Sequence, residues 1–420
     1  MIKQILLFFV AAFAATSTAI TTSANEETLQ TLTMAEAVRL ALSSDDPYLM
    51  EPAERAGALD DQAVADAQLP DPKLRMTFAN WPTNSFSYSQ EPMTQVQVGL
   101  SQAFPRGSTL VLRRQQRQAQ ARGERLMQQL RAREIALDTR QSWLDLYYWV
   151  AAKSKVQQSR QAVVELIGVI QANFATGRNT SQDIFRSEME LGLLDDRFLE
   201  IERQEAMVRA RLSRRIGQIA AQREPRAMPA LRHPSSLAVL EELIEAHPAA
   251  ELRLAQVDAA DKEVDIAGER YKPGWAVNVG YGARGGDRAD FATVGVVMDV
   301  PLFTKNRQDR QVSAAKQLRQ AQRLSRDGVM LDLNKRLRSS YAGWLRLQDR
   351  IALYQSVVVE RAKETAQASL TSYQSGVTDF PELIRSRLAE LDSELKLLKL
   401  QSEKLKTQSE LLFFEGEEDA

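Results

Sequence analysis

The chain has 420 residues, 44% hydrophobic and 26% charged, so composition excludes a disordered polymer while length allows two or three ordinary domains. A formal net charge of −1 excludes a nucleic-acid partner held by bulk positive charge. There is no cysteine, which excludes disulfides, thiol catalysis, zinc–thiolate sites and a lipid anchor attached through cysteine.

Residues 1–24 read as a cleavable export signal. Lys3 precedes an unbroken apolar run, Ile5 to Ala15, and small residues follow, with cleavage after Ala19 or Ala24. The run is shorter than the roughly 20 residues a membrane helix needs. No later stretch is long and apolar enough to cross a bilayer as a helix. The mature chain is then either soluble outside the cytoplasm or a β-type membrane protein, whose strands do not register in hydropathy.

A first repeat is expected over residues 25–223. Thr33 to Ala41 predicts a short helix with a Ser/Thr-x-x-Glu start at Thr33 and Glu36. Asp46-Pro47 stops it, and a second helical pattern runs from Glu54 to Gln68. Two alternating strands follow, at about 73–80 and 94–104. Leu74, Met76, Phe78, Val96, Val98 and Leu100 lie on one face, and polar residues and glycine on the other. Phe104-Pro105-Arg106-Gly107 ends the second strand, and a long helical hairpin spans about 108–216, turning at Gly177. A proline-containing connector covers 224–236.

A second repeat, 237–414, gives the same plan: short helices around a stop at His247-Pro248, strands at about 275–283 and 291–300, and a long hairpin at about 306–413. Pro301 ends its second strand, Gly376 turns the hairpin, and an acidic tail, 415–420, closes the chain. Pro47 to Pro248 is 201 residues, Pro105 to Pro301 is 196 and Gly177 to Gly376 is 199. A nearly constant offset of that size marks a duplicated domain. The last helix carries a seam at Ile384, Leu388, Leu391, Leu395, Leu398, Leu405 and Leu412, with Ser402 and Ser409 in the gaps. Its 3.5-residue period predicts supercoiled packing.

The fold class is therefore mainly α with a small membrane β part. Four strands are too few for a barrel, because outer-membrane barrels begin at eight, so several chains must contribute. The strands match the 9–11 residues that cross a bilayer. A small soluble sandwich is the alternative on the strands alone. Helices of roughly 100 Å must be held by side-by-side packing, and a ring of such hairpins would make a tube below the barrel.

The duplicated plan resembles the TolC-like outer-membrane efflux family over residues 30–414. LTMAEAVRLAL (Leu32 to Leu42), AHPAAELRLAQVDAADKEV (Ala246 to Val264) and the two glycine turns carry the resemblance. LPDPKL (Leu69 to Leu74) and EPMTQVQVGLSQAFPRG (Glu91 to Gly107) look most like the outer-membrane subunits of heavy-metal (RND-type) resistance efflux systems. The resemblance implies a homotrimer in the Gram-negative outer membrane, with a twelve-stranded barrel on a periplasmic α-helical barrel. It also implies a periplasmic adaptor (membrane fusion) protein and an inner-membrane RND transporter as partners, with heavy-metal cations as cargo. Drugs or secreted polypeptides are the alternative cargo, and a periplasmic coiled-coil scaffold is the alternative class.

In the family the glycine turns form the periplasmic tip. Asp183, six residues after Gly177, and Tyr373, three before Gly376, match a pair whose hydrogen bonding latches that tip. Glu382 and Arg385, six and nine past Gly376, fall at constricting acidic positions, and Arg385 reverses the sign. Asp379 belongs to the same group. Pro105, Gly107 and Pro301 mark the junction of barrel and tunnel.

No enzyme, cofactor or resident metal is expected. The two histidines, His233 and His247, sit beside prolines in connectors, and His247 occupies the slot that Asp46 fills in the other repeat. The eleven methionines are scattered. Trp143, Tyr147, Tyr148 and Trp149 read as helix packing. Arg106, Arg113, Arg114, Arg117, Arg122 and Arg125 read as a solvated or lumen-facing stripe, with contact to lipid headgroups as the lesser reading.

Overall fold

The computed structural model describes residues 31–177 and 180–416; the export signal and the last four residues of the acidic tail lie outside them. In chain order the first repeat contains strand β1 (Thr31–Leu32), helices α1 (Met34–Leu42) and α2 (Pro47–Ala65), strands β2 (Lys73–Ala79) and β3 (Gln95–Phe104), and helices α3 (Thr109–Ala175), α4 (Ser181–Ile216) and α5 (Gln218–Ala221). The second repeat contains β4 (Glu224–Pro225), α6 (Leu237–Leu243), α7 (Pro248–Glu269), β5 (Gly274–Arg284), β6 (Phe291–Asp299), α8 (Gln308–Leu353), a π-helical turn (Tyr354–Val358), α9 (Val359–Gln374) and α10 (Phe380–Glu415).

The helix starts are set by side chains. Thr33 accepts a hydrogen bond from the Glu36 backbone N–H at 3.1 Å and begins α1. Asp46 and His247 do more than stop the preceding helix: each caps the next one, with proline in its first turn. Asp46 accepts from Tyr48 N–H at 3.0 Å, and His247 Nδ1 accepts from Ala249 N–H at 3.2 Å.

The 67-residue α3 is about 100 Å long at 1.5 Å per residue. Two shorter helices lie end to end along it. Arg117 and Arg125 pair with Asp66 and Asp60 of α2, while Lys153 and Arg160 pair with Glu205 and Asp195 of α4. Where α2 and α4 abut, Arg214 reaches both carboxylate oxygens of Asp46 at 2.9 Å and Arg215 adds a contact at 3.0 Å. The second repeat builds the same joint from rings. His247, at the start of α7, lies 4.9 Å from Phe413 and 5.9 Å from Phe414, at the end of α10.

The α10 seam is buried at Ile384, Leu391, Leu395, Leu398, Leu405 and Leu412. Its serines permit close approach: Ser402 Oγ donates to the Leu144 carbonyl of α3 at 3.2 Å, and Ser409 Oγ to Leu405 O of its own helix. Glu415 ends α10 as a structural residue, accepting from Ser235 N–H and pairing with Arg232. Trp143 is fully buried, stacks on Tyr147 at 5.8 Å and donates its indole N–H to Leu32 O at 3.0 Å. The mid-helix aromatic cluster is thus core. Among the described residues no helix is long and apolar enough to cross a membrane.

Candidate channel wall and tip gate

The four long strands form one sheet in the order β2-β3-β5-β6, antiparallel throughout. The central β3–β5 pairing joins the two repeats. Its register keeps each face uniform across the junction. Leu74, Leu100, Val279 and Val294 align in one row, and Arg75, Gly99, Gly280 and Thr293 in the next. One face is therefore apolar from edge to edge apart from Gln102, and the other mainly polar or glycine, with Ala79, Ala103, Ala276, Phe291 and Val297 as the exceptions. No described residue covers the apolar face: Leu74 is 75% exposed and Val294 77%. A soluble sandwich would bury those side chains against a second sheet. The outer edges of β2 and β6 are unpaired among the described residues, leaving backbone donors and acceptors that call for another strand.

The sheet meets the long helices at Phe104–Gly107 and at Asp299–Pro301. Phe104 and Trp275 stack at 4.2 Å on the last row of the apolar face. Gly107 adopts φ +46°, and a Cβ there would run into the Glu269 carboxylate, which accepts the Ser108 N–H at 2.8 Å. Arg106 donates to the Arg270 carbonyl at 3.0 Å and to Asp299 at 3.4 Å, so it ties the three segments of the junction together.

At the other end both turn glycines have φ +74°, the left-handed conformation that glycine adopts at least cost. Each N–H closes on the residue three before it, Phe174 or Tyr373, at 2.9 and 3.0 Å. The helix restarts three residues later on a capping side chain, Thr180 for α4 and Asp379 for α10. Asp183 completes a capping box by accepting the Thr180 N–H at 2.9 Å. Glu382, at the equivalent position of the second repeat, instead pairs with Arg385 one turn on. Arg186 is the first-repeat counterpart of Arg385, and both line a groove of about 300 Å³ with Phe380 and Ile384. The sequence reading missed Arg186, although its offset of nine from Gly177 was available.

Tyr373 packs edge-on against the buried Phe380 ring at 6.2 Å. Its hydroxyl is buried with no hydrogen-bond partner among the described residues. The single chain therefore does not join Tyr373 to Asp183, whose carboxylate is engaged with Thr180. The arginine stripe is also resolved into parts. Arg117, Arg122 and Arg125 bridge to acids on α2 and α7 and are not a free solvated face.

A two-faced sheet with open edges, carried on a helix of about 100 Å with shorter helices laid end to end along it, is a fold that solved outer-membrane channels share. Solved channels superpose on it over nearly their full length. CusC, whose structures concern folding and transmembrane channel formation, matches with a TM-score of 0.77 at 13% identity, covering 91% of each chain. VceC, an outer membrane protein of Vibrio cholerae, gives 0.77 at 16% identity, covering 91% of this chain and 95% of its own. The CmeC outer membrane channel of Campylobacter jejuni gives 0.78 at 11% identity, covering 97% and 90%. No curated protein matches the chain in sequence. Residues 239–416, the second repeat, match the family model described as outer membrane efflux protein.

Proposed function

We propose that three copies of this chain assemble into the outer-membrane exit duct of a tripartite efflux system. The uncovered apolar face with unpaired β2 and β6 edges carries this reading, because only neighbouring strands and lipid satisfy both. Three four-stranded sheets close a twelve-stranded barrel, with apolar residues toward lipid and glycine, Thr, Asn and Gln toward a wet lumen. The helical hairpins then form the periplasmic tunnel, with six glycine turns at its tip.

The duct acts as a conduit, not a catalyst. It works with a periplasmic adaptor and an inner-membrane RND pump, which selects the cargo and supplies the energy. Heavy-metal cations are the proposed cargo, supported by the likeness of Leu69–Leu74 and Glu91–Gly107 to metal-resistance channels. Asp183 and Tyr373 are proposed to latch the tip across assembled copies. Supporting this, the Tyr373 hydroxyl lacks a partner among the described residues of one chain. A deletion strain challenged with copper, silver, zinc, cobalt, cadmium and common drugs tests the cargo. Sensitivity to one metal with normal drug tolerance is the expected result, and drug sensitivity alone would redirect the assignment.

A further inference from the structure

We propose that the barrel wall carries a positive field that passes anions in preference to free cations, with Lys73 and Arg75 setting that preference. This rests on the barrel reading above, which turns the polar face of the sheet toward the lumen. The four long strands hold only four charged residues, Lys73, Arg75, Arg284 and Asp299, and all four lie on the polar face. Two of them are engaged at the ends of the sheet. Asp299, at the helix end, accepts from Arg106 at 3.4 Å. Arg284, at the outer end, donates to the Ala289 and Pro92 carbonyls and lies 4.1 Å over the Phe291 ring. Lys73 and Arg75 stand between them, exposed and with no hydrogen-bond or ion-pair partner among the described residues. Asp71, two residues before Lys73, does not pair with it, and the outer-loop carboxylates Glu91, Asp287 and Asp290, with Arg288 among them, lie beyond the far end of the strands.

The ladder fixes what surrounds the two cations. Lys73 aligns with Ser101, Asn278 and Gly295, and Arg75 with Gly99, Gly280 and Thr293. These neighbours are short and uncharged, so no side chain in either row offsets the charge. Charges on an edge strand can serve to keep it from pairing. Here β2 is an edge that the barrel has to close, so that use is absent. The β6 strand of the next copy brings only one acid, Asp299, which Arg106 already holds. A trimer then carries six uncompensated positive charges in one narrow band of the wall. At ~12 Å from the lumen axis, screened over a Debye length of ~10 Å at 0.1 M salt, they enrich a monovalent anion about threefold and deplete a monovalent cation about threefold. A free divalent cation is depleted about ninefold on the same basis, so a metal crosses this wall most readily as a complex of net negative charge.

The chain has no cysteine, so a single one introduced on the wall reads the field. Thr293→Cys places it on the polar face in the Arg75 row. The full-length trimer extracted in detergent is labelled at 0.1 M salt with a thiosulfonate reagent bearing either a sulfonate or a trimethylammonium group, and the ratio of anionic to cationic labelling rates is measured. Adding Lys73→Gln with Arg75→Gln should lower that ratio about ninefold, the product of the two threefold factors. Lys73→Arg with Arg75→Lys, which keeps both charges, should leave it unchanged. Val377→Cys, 80% exposed at the far end of the helices, should label at a ratio that the glutamine pair does not alter. An unchanged ratio at Thr293→Cys overturns the proposal, as does an equal change at Val377→Cys. Conductance of the Thr293→Cys protein in a planar bilayer reads the duct separately. Protein whose labelling ratio falls on neutralisation but which never conducts refutes the duct and leaves the positive face standing. Protein that conducts with an unchanged ratio refutes the positive wall and leaves the duct.

Discussion

Replacing Arg385 with glutamate probes the tip with little disturbance to the fold. Arg385 and Glu382 pair one turn apart on α10 with side chains 66% and 44% exposed. Such a pair is worth only ~0.3–0.5 kcal/mol. Its electrostatic weight at the constriction proposed for this pair is larger. Each chain changes by two charge units, so a trimer changes by six. At about 10 Å from a permeant ion in water, one unit charge contributes ~0.4 kcal/mol, so six contribute about 2.5 kcal/mol. Screening over a Debye length of ~10 Å at 0.1 M salt reduces this to about 1 kcal/mol. Potassium is then enriched about fivefold at the tip and chloride depleted by a similar factor. The assay is the zero-current potential of purified trimers in a planar bilayer under a potassium chloride gradient. The parent, with each Glu382 neutralised by its own Arg385, should discriminate weakly, and R385E should become clearly cation-selective. An unchanged zero-current potential would refute the placement of this pair at the narrowest part of the pore.

Three other predictions concern the tip, the joint and the junction. Asp183→Ala removes the carboxylate that caps Thr180 N–H, at a cost of ~1 kcal/mol to the first turn of α4. Combined with Tyr373→Phe it should raise resting conductance, whereas Asp183→Asn, which keeps an acceptor, should leak less; a double variant as tight as the parent discards the latch. Burial pushes the His247 imidazole down to about 4, and Arg133 and Arg336 push the same way. Its neutral form is the native one, so stability is full above the unfolded value near 6.5 and falls as pH drops toward 4, by up to about 3 kcal/mol. His247→Asn, which retains a cap, should flatten melting temperature against pH over that window; an unchanged slope contradicts the assignment. Gly107→Ala must hold φ +46° and displace the Glu269 carboxylate from Ser108 N–H, costing about 2–3 kcal/mol. Gly177→Ala meets open space and should cost only the backbone strain, about 1 kcal/mol. Equal losses of trimer melting temperature at the two glycines would contradict the junction geometry.

Period and punctuation made much of the fold legible in the sequence. Alternation at Leu74, Met76 and Phe78 and the seam from Ile384 to Leu412 are local patterns with distinct periods, so each declares its element and its buried or apolar face. The turn glycines were equally plain, because only glycine takes φ +74° readily. What was not legible depended on contacts between distant segments. The stop at Asp46-Pro47 is also the cap that starts α2 and the seat for Arg214 and Arg215, 168 and 169 residues away. The arginine stripe resembled a solvated face because its acidic partners come from α2 and α7, outside any local window. The tip was half legible. The offsets from Gly376 gave Glu382 and Arg385 but not their mutual pairing, and Arg186 emerged only when the repeats were laid side by side.

The central claim is that copies of this chain close a membrane barrel through the free edges of β2 and β6. The most direct measurement is single-channel conductance of the purified, heat-resistant oligomer in a planar bilayer, with one cysteine placed at each edge, Met76→Cys on β2 and Val296→Cys on β6. The account predicts a trimer that conducts and, on oxidation, gives disulfide-linked dimers and trimers with conductance preserved. A monomer that neither conducts nor cross-links, while its helices remain folded, would contradict it.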